Sequence, residues 1–279
     1  MNQNIKARLL VSKVLAVIAI VLFMATYFGG EPFAYRGPDG EVFFDEDNLS
    51  WQPMEIFIDM EEADILETDE ELKTVLGKSF KDYFPNGIRL YDYVPTGWRA
   101  YLGGYHTMPI WKVTLDAPQY PKAAYPEGIA VYFTLTDFRG EVTEMNTINH
   151  YIGMDPMDVG GLYLRKIVPF GILALVLLVF VYIFYTGPGW KLLGLIPAGI
   201  PFYFLGMFSY MLYWFGHNLH EYGQFDIKPF MPTVLGDGKV AQFVTHAFPA
   251  VGFYTLLGVF ICMMLSVLIR RKALKEAGQ

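Results

Sequence analysis

Four long apolar stretches constrain this chain more than any other feature. They run from Leu9 to Phe28, interrupted only by Ser12, Lys13 and Thr26, then Ile167 to Tyr185, Leu192 to Phe215 and Phe248 to Ile269. An α-helix needs roughly 20 apolar residues to cross a hydrocarbon core of about 30 Å, so each stretch is read as a transmembrane helix. The expected fold is a membrane protein of four transmembrane α-helices. An extracytoplasmic α+β, mostly β, domain is inserted between helices 1 and 2. The chain then divides into an N-terminal anchor at 1–30, the domain at 31–166, and a three-helix bundle at 167–279 whose outer loop spans 216–246.

Charge gives the orientation, because Lys and Arg collect on the cytoplasmic flank of a span. Lys6, Arg8 and Lys13 open the first stretch, Lys191 lies between the second and third, and Arg270, Arg271, Lys272 and Lys275 follow the fourth. Both termini are therefore expected inside a bacterial inner membrane, with 31–166 and 216–246 in the periplasm. Arg165 and Lys166 run against the rule, but long basic side chains reach headgroups from either side. The basic start and apolar stretch have the shape of a signal peptide, yet no small-x-small site follows in Met24 to Gly30, so the segment is read as an uncleaved anchor.

The outer domain is acidic, with 24 acidic against 11 basic side chains between Glu31 and Lys166. Such a surface repels nucleic acid and favours cations or a basic partner. The single cysteine, Cys262, lies within the fourth stretch and rules out an intrachain disulfide or a thiolate metal cluster.

Within the outer domain, Met54 to Met60 alternates as a strand, and Thr68 with Glu71 forms a capping-box signal for a helix ending before Pro85. Ile110 to Leu115 and Gly128 to Phe138 read as two further strands, the second with Ile129, Val131, Phe133 and Leu135 on one face. Gly194, Pro197, Gly199, Pro201 and Gly206 predict a kink in the third span, since proline frees a carbonyl and bends the axis. No charge sits in the middle of any span, which disfavours a pump or secondary transporter.

All five histidines fall on the outer side in this topology. His217, His220 and Glu221 occupy i, i+3 and i+4, one face if the third helix continues a turn, and His246 at the entrance to the fourth span can approach them. Two imidazoles and a carboxylate suit a first-row transition metal, although interfacial histidines also bond headgroups and loop backbone. The second constellation is His150 with Met154 and Met157, repeated more weakly by His106 with Met108. A neutral imidazole beside thioethers is a soft set that favours cuprous copper, while methionine is equally ordinary core filler.

The stretch Leu115-Asp-Ala-Pro-Gln-Tyr-Pro121, then Pro126-Glu-Gly-Ile129 and Ile148-Asn-His-Tyr-Ile-Gly-Met154, resembles a family of bacterial membrane proteins encoded beside nitrous oxide reductase maturation genes. Some members of that family accompany periplasmic copper proteins. The resemblance covers roughly 110–160 and, more loosely, Lys228 to His246; Asn149 to Met154 is its most specific part. It implies an accessory role in assembling or supplying copper to a periplasmic copper protein or reductase, with other membrane subunits as further partners. His150 and Met154 are the positions carried over, with His106, Met108 and Met157 as weaker additions.

Catalytic motifs are missing: there is no nucleophile elbow, phosphate loop, His-Glu-x-x-His or CxxCH. The run Glu61-Glu-Ala-Asp64 fits no EF-hand, and Gly236-Asp-Gly238 reads as a turn. Two alternatives to the copper role stay open. One is a quinol- or haem-linked electron-transfer subunit, with haem b held near the outer surface by His217 or His220 and His246. The other is a cofactor-free structural subunit of a membrane complex.

Overall fold

The computed structural model describes residues 3–30, four short strands between 31 and 101, and 102–278 apart from 103, 105, 119, 121, 124, 226 and 241. The expected strand at 54–60 and the helix opened by Thr68 and Glu71 lie outside the described residues.

Among the described residues, three helices are long and apolar enough to cross a membrane: α1 (Gln3–Phe28), α3 (Met157–Phe184, apolar from Ile167) and the last, α6 (Val251–Glu276). A fourth crossing is available if α4 (Trp190–Ala198) and α5 (Ile200–His217) count as one span, bent by 49°. The bend falls at Gly199, between Pro197 and Pro201, where the expected kink lies. Pro201 has no amide to offer the carbonyl four residues back, so the helix cannot continue straight. Outward-facing side chains are large and apolar, including Phe170 at 74% and Phe184 at 66% exposed, as lipid contact requires.

Helices α1 and α6 run antiparallel, with Arg8 paired to Glu276 at one end and the Thr26 and Thr255 hydroxyls 2.6 Å apart at the other. Lipid offers no hydrophobic drive for helix association, so such pairs rest on small residues and hydrogen bonds. Ala16 and Ala19 are buried between them. Ser12 Oγ donates to the Ser266 carbonyl at 3.0 Å and Ser266 Oγ returns the bond to Ser12 at 2.7 Å, while the Tyr182 hydroxyl lies 2.9 Å from Ser266 Oγ. Arg270 is buried as well. Its guanidinium donates to the Tyr182 and Tyr185 carbonyls at the end of α3 and lies over the Tyr182 and Trp190 rings at 4.6 and 5.1 Å. A residue read from sequence as a flanking charge thus caps a helix.

At the other end of the α1–α6 pair sits an antiparallel sheet. Strands β1 (Tyr35–Arg36) and β2 (Val42–Phe43) pair with each other, as do β3 (Gln52–Pro53) and β4 (Arg89–Tyr91). The main sheet joins β5 (Trp111–Asp116), β6 (Ile129–Phe133), β7 (Phe138–Gly140), β8 (Gly236–Val240) and β9 (Phe243–Pro249) in the order β7-β6-β5-β9-β8. The segment read as an outer loop at 216–246 therefore supplies two strands to it. The apolar run from Phe248 is not helical at its start: Phe248 and Pro249 belong to β9, paired with Lys112 and Trp111, and α6 begins at Val251. Gly236 to Gly238 is strand, not turn. At Gly238 a Cβ would lie 1.7 Å from Thr233 Oγ1, so only glycine fits.

The single strand expected from Gly128 to Phe138 is a hairpin. Thr134 Oγ1 accepts the Thr136 and Asp137 amides at 3.2 and 2.9 Å and folds the chain back between β6 and β7. Helix α2 (Val142–Ile152), which the sequence pattern does not announce, then lies against the sheet and leads into α3.

Candidate functional site

The face of the sheet turned toward α2 and α5 does not close on itself. Val113 and Leu115 alternate on β5, Met145, Asn149 and Ile152 follow one face of α2 at i, i+4 and i+7, and Met211 and Phe215 follow one face of α5. Between them is a cavity of about 770 Å³ counting its open mouth, and none of the described residues that line it is charged. Four methionines line it: Met145 on α2, Met154 and Met157 at the α2–α3 junction, and Met211 on α5.

The run Asn149 to Met154 forms the last turn of α2 and its cap. The Gly153 amide donates to His150 O at 2.9 Å and the Met154 amide to Asn149 O at 2.7 Å, the paired bonds of a Schellman cap. Gly153 is left-handed at φ 88°, and a Cβ there would meet the His220 carbonyl at 2.6 Å. The capped turn also receives the 218–225 loop, through bonds from His220 N to Gly153 O (2.7 Å) and Gln224 N to Tyr151 O (2.8 Å). Two histidines from the separate sequence groups therefore meet. The Tyr222 ring stacks on His150 at 4.8 Å and on His220 at 5.0 Å.

The environments of these two imidazoles differ. Burial pushes the His150 pKa down from 6.5, favouring the neutral ring. The Asp155 carboxylate, 2.8 Å from His220 Nε2, pushes that pKa up against an opposing effect of burial. Burial, with the Asp155 charge adding, also raises the Tyr222 hydroxyl, which donates to Met154 O at 3.3 Å.

The grouping of His217, His220 and Glu221 on one helical face is not formed. Helix α5 ends at His217, Asn218 leaves helical geometry at φ −110° and ψ 64°, and the His220 amide is taken by Gly153. The His217 ring instead stacks on Tyr213 at 3.8 Å, and Glu221 is exposed.

His246 does not join them either. It is the strand neighbour of cavity-lining Thr245 and so projects from the opposite sheet face. There its Nδ1 is 2.6 Å from Asp237 and its Nε2 3.9 Å from Asp116, which Lys122 also contacts at 3.4 Å. His106 and Met108 are held elsewhere, over the end of α1, through bonds from Gly30 N to His106 O and from Met108 N to Thr26 O, both 2.7 Å. Burial lowers the His106 pKa, opposed by a backbone hydrogen bond with Gly30 and aided by the Arg139 charge.

Among the described residues, no three His, Cys, Asp or Glu side chains gather where one ion can be held. What the fold brings together is thioethers. Of the four, Met154 and Met157 are legible in sequence beside His150, whereas Met145 and Met211 carry no signal except their spacing from Asn149 and Phe215. No protein-family model, curated protein or solved structure matches the chain.

Proposed function

We propose that this chain is a bilayer-anchored accessory protein that carries cuprous copper to or from a periplasmic copper enzyme, such as nitrous oxide reductase, and is not itself an enzyme. In this reading it crosses the inner membrane four times, with the bent α4–α5 pair as the third span. Both termini are then cytoplasmic, and the sheet and cavity lie on the periplasmic side. The pairing of Arg8 with Glu276 supports termini on one side, since it sets the start of α1 level with the end of α6. The sheet packs at the opposite end of that pair, where the Met108 amide bonds Thr26 and the Gly252 amide bonds Pro109.

The observation that carries the reading is the convergence of Met145, Met154, Met157 and Met211 on one cavity beside the Asn149 to Met154 run. Thioethers are soft, neutral donors that suit cuprous copper far better than zinc or magnesium, and they hold it without releasing a proton. His150, whose pKa burial lowers, lies on the same turn of α2 but stacks on Tyr222 and does not itself line the cavity. The acidic outer domain suits a basic face on the protein partner. For the haem reading, no two of His217, His220 and His246 face each other across helices, which leaves it without a supporting contact.

The test is copper retention by the full chain in detergent after loading with cuprous ion under reducing conditions. About one ion per chain is expected for the wild type, falling to background when the four cavity methionines are replaced by leucine. Leucine conserves volume closely enough for the fold to survive such a swap. Equal retention by the two proteins would sink the proposal. A cofactor-free structural role would then stand, and the interlocking of the sheet with α1 and α6 is the observation in its favour.

A further inference from the structure

The cavity is larger than a cation held by thioethers requires, and one of its groups is ill suited to a soft metal. Asn149 is 7% exposed, lines the cavity, and its side-chain amide makes no hydrogen bond with any described residue. An amide at the cavity wall presents both a donor and an acceptor to whatever enters. The other polar lining groups are already engaged: Thr245 Oγ1 donates to Thr233 Oγ1 at 3.1 Å and lies 3.4 Å from Gly238 O. The other described lining residues are apolar, with Phe133, Phe215, Phe230 and Phe243 supplying aromatic surface.

From this the geometry points to a second ligand class: a neutral, lipid-soluble amphiphile, with an apolar body in the cavity and one carbonyl or hydroxyl bonded to Asn149. Among the described residues no charged side chain lines the cavity, which argues against a fatty-acid carboxylate or a phosphate, because a buried charge needs a partner. The wall supplied by α5 is apolar. Met211, Leu212 and Phe215 line the cavity, while Met207, Tyr210 and Tyr213 of the same helix are 43%, 67% and 49% exposed. The helix that walls the cavity is therefore one whose other side chains suit an apolar medium. A prenylquinone and a monoacylglycerol both carry the required group on the required body. The inference is independent of the copper reading, since it uses Asn149 and the cavity volume and not the thioethers.

Two probes, decylubiquinone and monodecanoylglycerol, are titrated separately against the full chain in lipid nanodiscs, following the unfolding midpoint by circular dichroism. A ligand that binds only the folded state raises that midpoint in a saturable way. The expected result is a saturable rise with at least one probe, lost in Leu212→Trp, which fills the cavity from α5. Val113→Phe fills it from the sheet and serves if Leu212→Trp does not fold. Asn149→Leu keeps the apolar walls but removes the hydrogen bond, and should weaken half-saturation about fivefold. A response to one probe alone identifies the source as quinone-like or glyceride-like, and a response to both shows that the shared group suffices. No response to either, or equal responses in wild type and the filled variants, overturns the inference.

Discussion

The α1–α6 pair and the cavity under the sheet treat polar groups in opposite ways. Between the helices, Ser12, Ser266, Thr26, Thr255 and Tyr182 are bonded to one another or to backbone. Around the cavity, the Asn149 side chain has no hydrogen-bond partner among the described residues and four methionines line the wall. A buried polar network pays for itself in stability only when every member is satisfied. The closed set therefore marks the region that holds the chain together, and the open set marks the region that can accept something from outside.

Breaking the helical region should have the largest effect, even though its buried Arg270 leaves Nε without a partner among the described residues. Arg270→Met removes donors to the Tyr182 and Tyr185 carbonyls and leaves the end of α3 uncapped, at an expected cost of about 3 kcal/mol. Denaturant unfolding in mild detergent measures it, and copper retention by the surviving folded fraction should be unchanged. A loss of copper in proportion to protein still folded would mean that the two regions are not separable.

Gly153→Ala tests the boundary between them. The left-handed φ and the approach of His220 O together should cost about 2 kcal/mol. Here the loop carrying His220 and Tyr222 should detach before the helices do. Faster amide exchange at His220 and Gln224, with slow exchange retained in α1 and α6, is the expected pattern.

The smallest effect is on pH dependence. The folded-state pKa of His220 is raised by Asp155, so its contribution to stability is fully present below the unfolded value of 6.5 and disappears as pH climbs through the raised value. His220→Gln should therefore be less stable than wild type at about pH 5.5, by less than about 1 kcal/mol given its partial exposure, and equal to it at about pH 8.5. His150 works in the other direction. Its lowered pKa contributes stability above 6.5 that is lost as pH falls through the folded value, and this slope should remain in the variant. Unfolding midpoints at the two pH values distinguish a His220–Asp155 latch from an incidental contact.

The membrane-compatible helices were legible because an unbroken apolar run has few other uses, and the kink because Pro197, Gly199 and Pro201 each weaken the same turn. The sheet was only half legible. Pairing of β5 with β6 is local, but pairing of β5 with β9 joins Trp111 to Pro249, and nothing in a local pattern reports a partner so far along the chain. Helix α2 was hidden by composition, since its threonines, asparagines, valine and isoleucines favour helix weakly and it is tertiary packing that holds it. Grouping the histidines by nearness in sequence failed for a related reason. His246 and Thr245 are adjacent, yet a strand sends them to opposite faces, whereas His150 and His220 are distant and share one tyrosine.

The strand order carries a further consequence, in the order of synthesis. Strand β5 lies inside the finished sheet, yet one of its edges is completed only by β9, which is made after α3, α4 and α5. Until then that edge offers unpaired amides and carbonyls, the kind of surface on which nascent chains associate wrongly. The last strand is thus also the seal on the sheet, and a chain halted before Phe243 would leave it open.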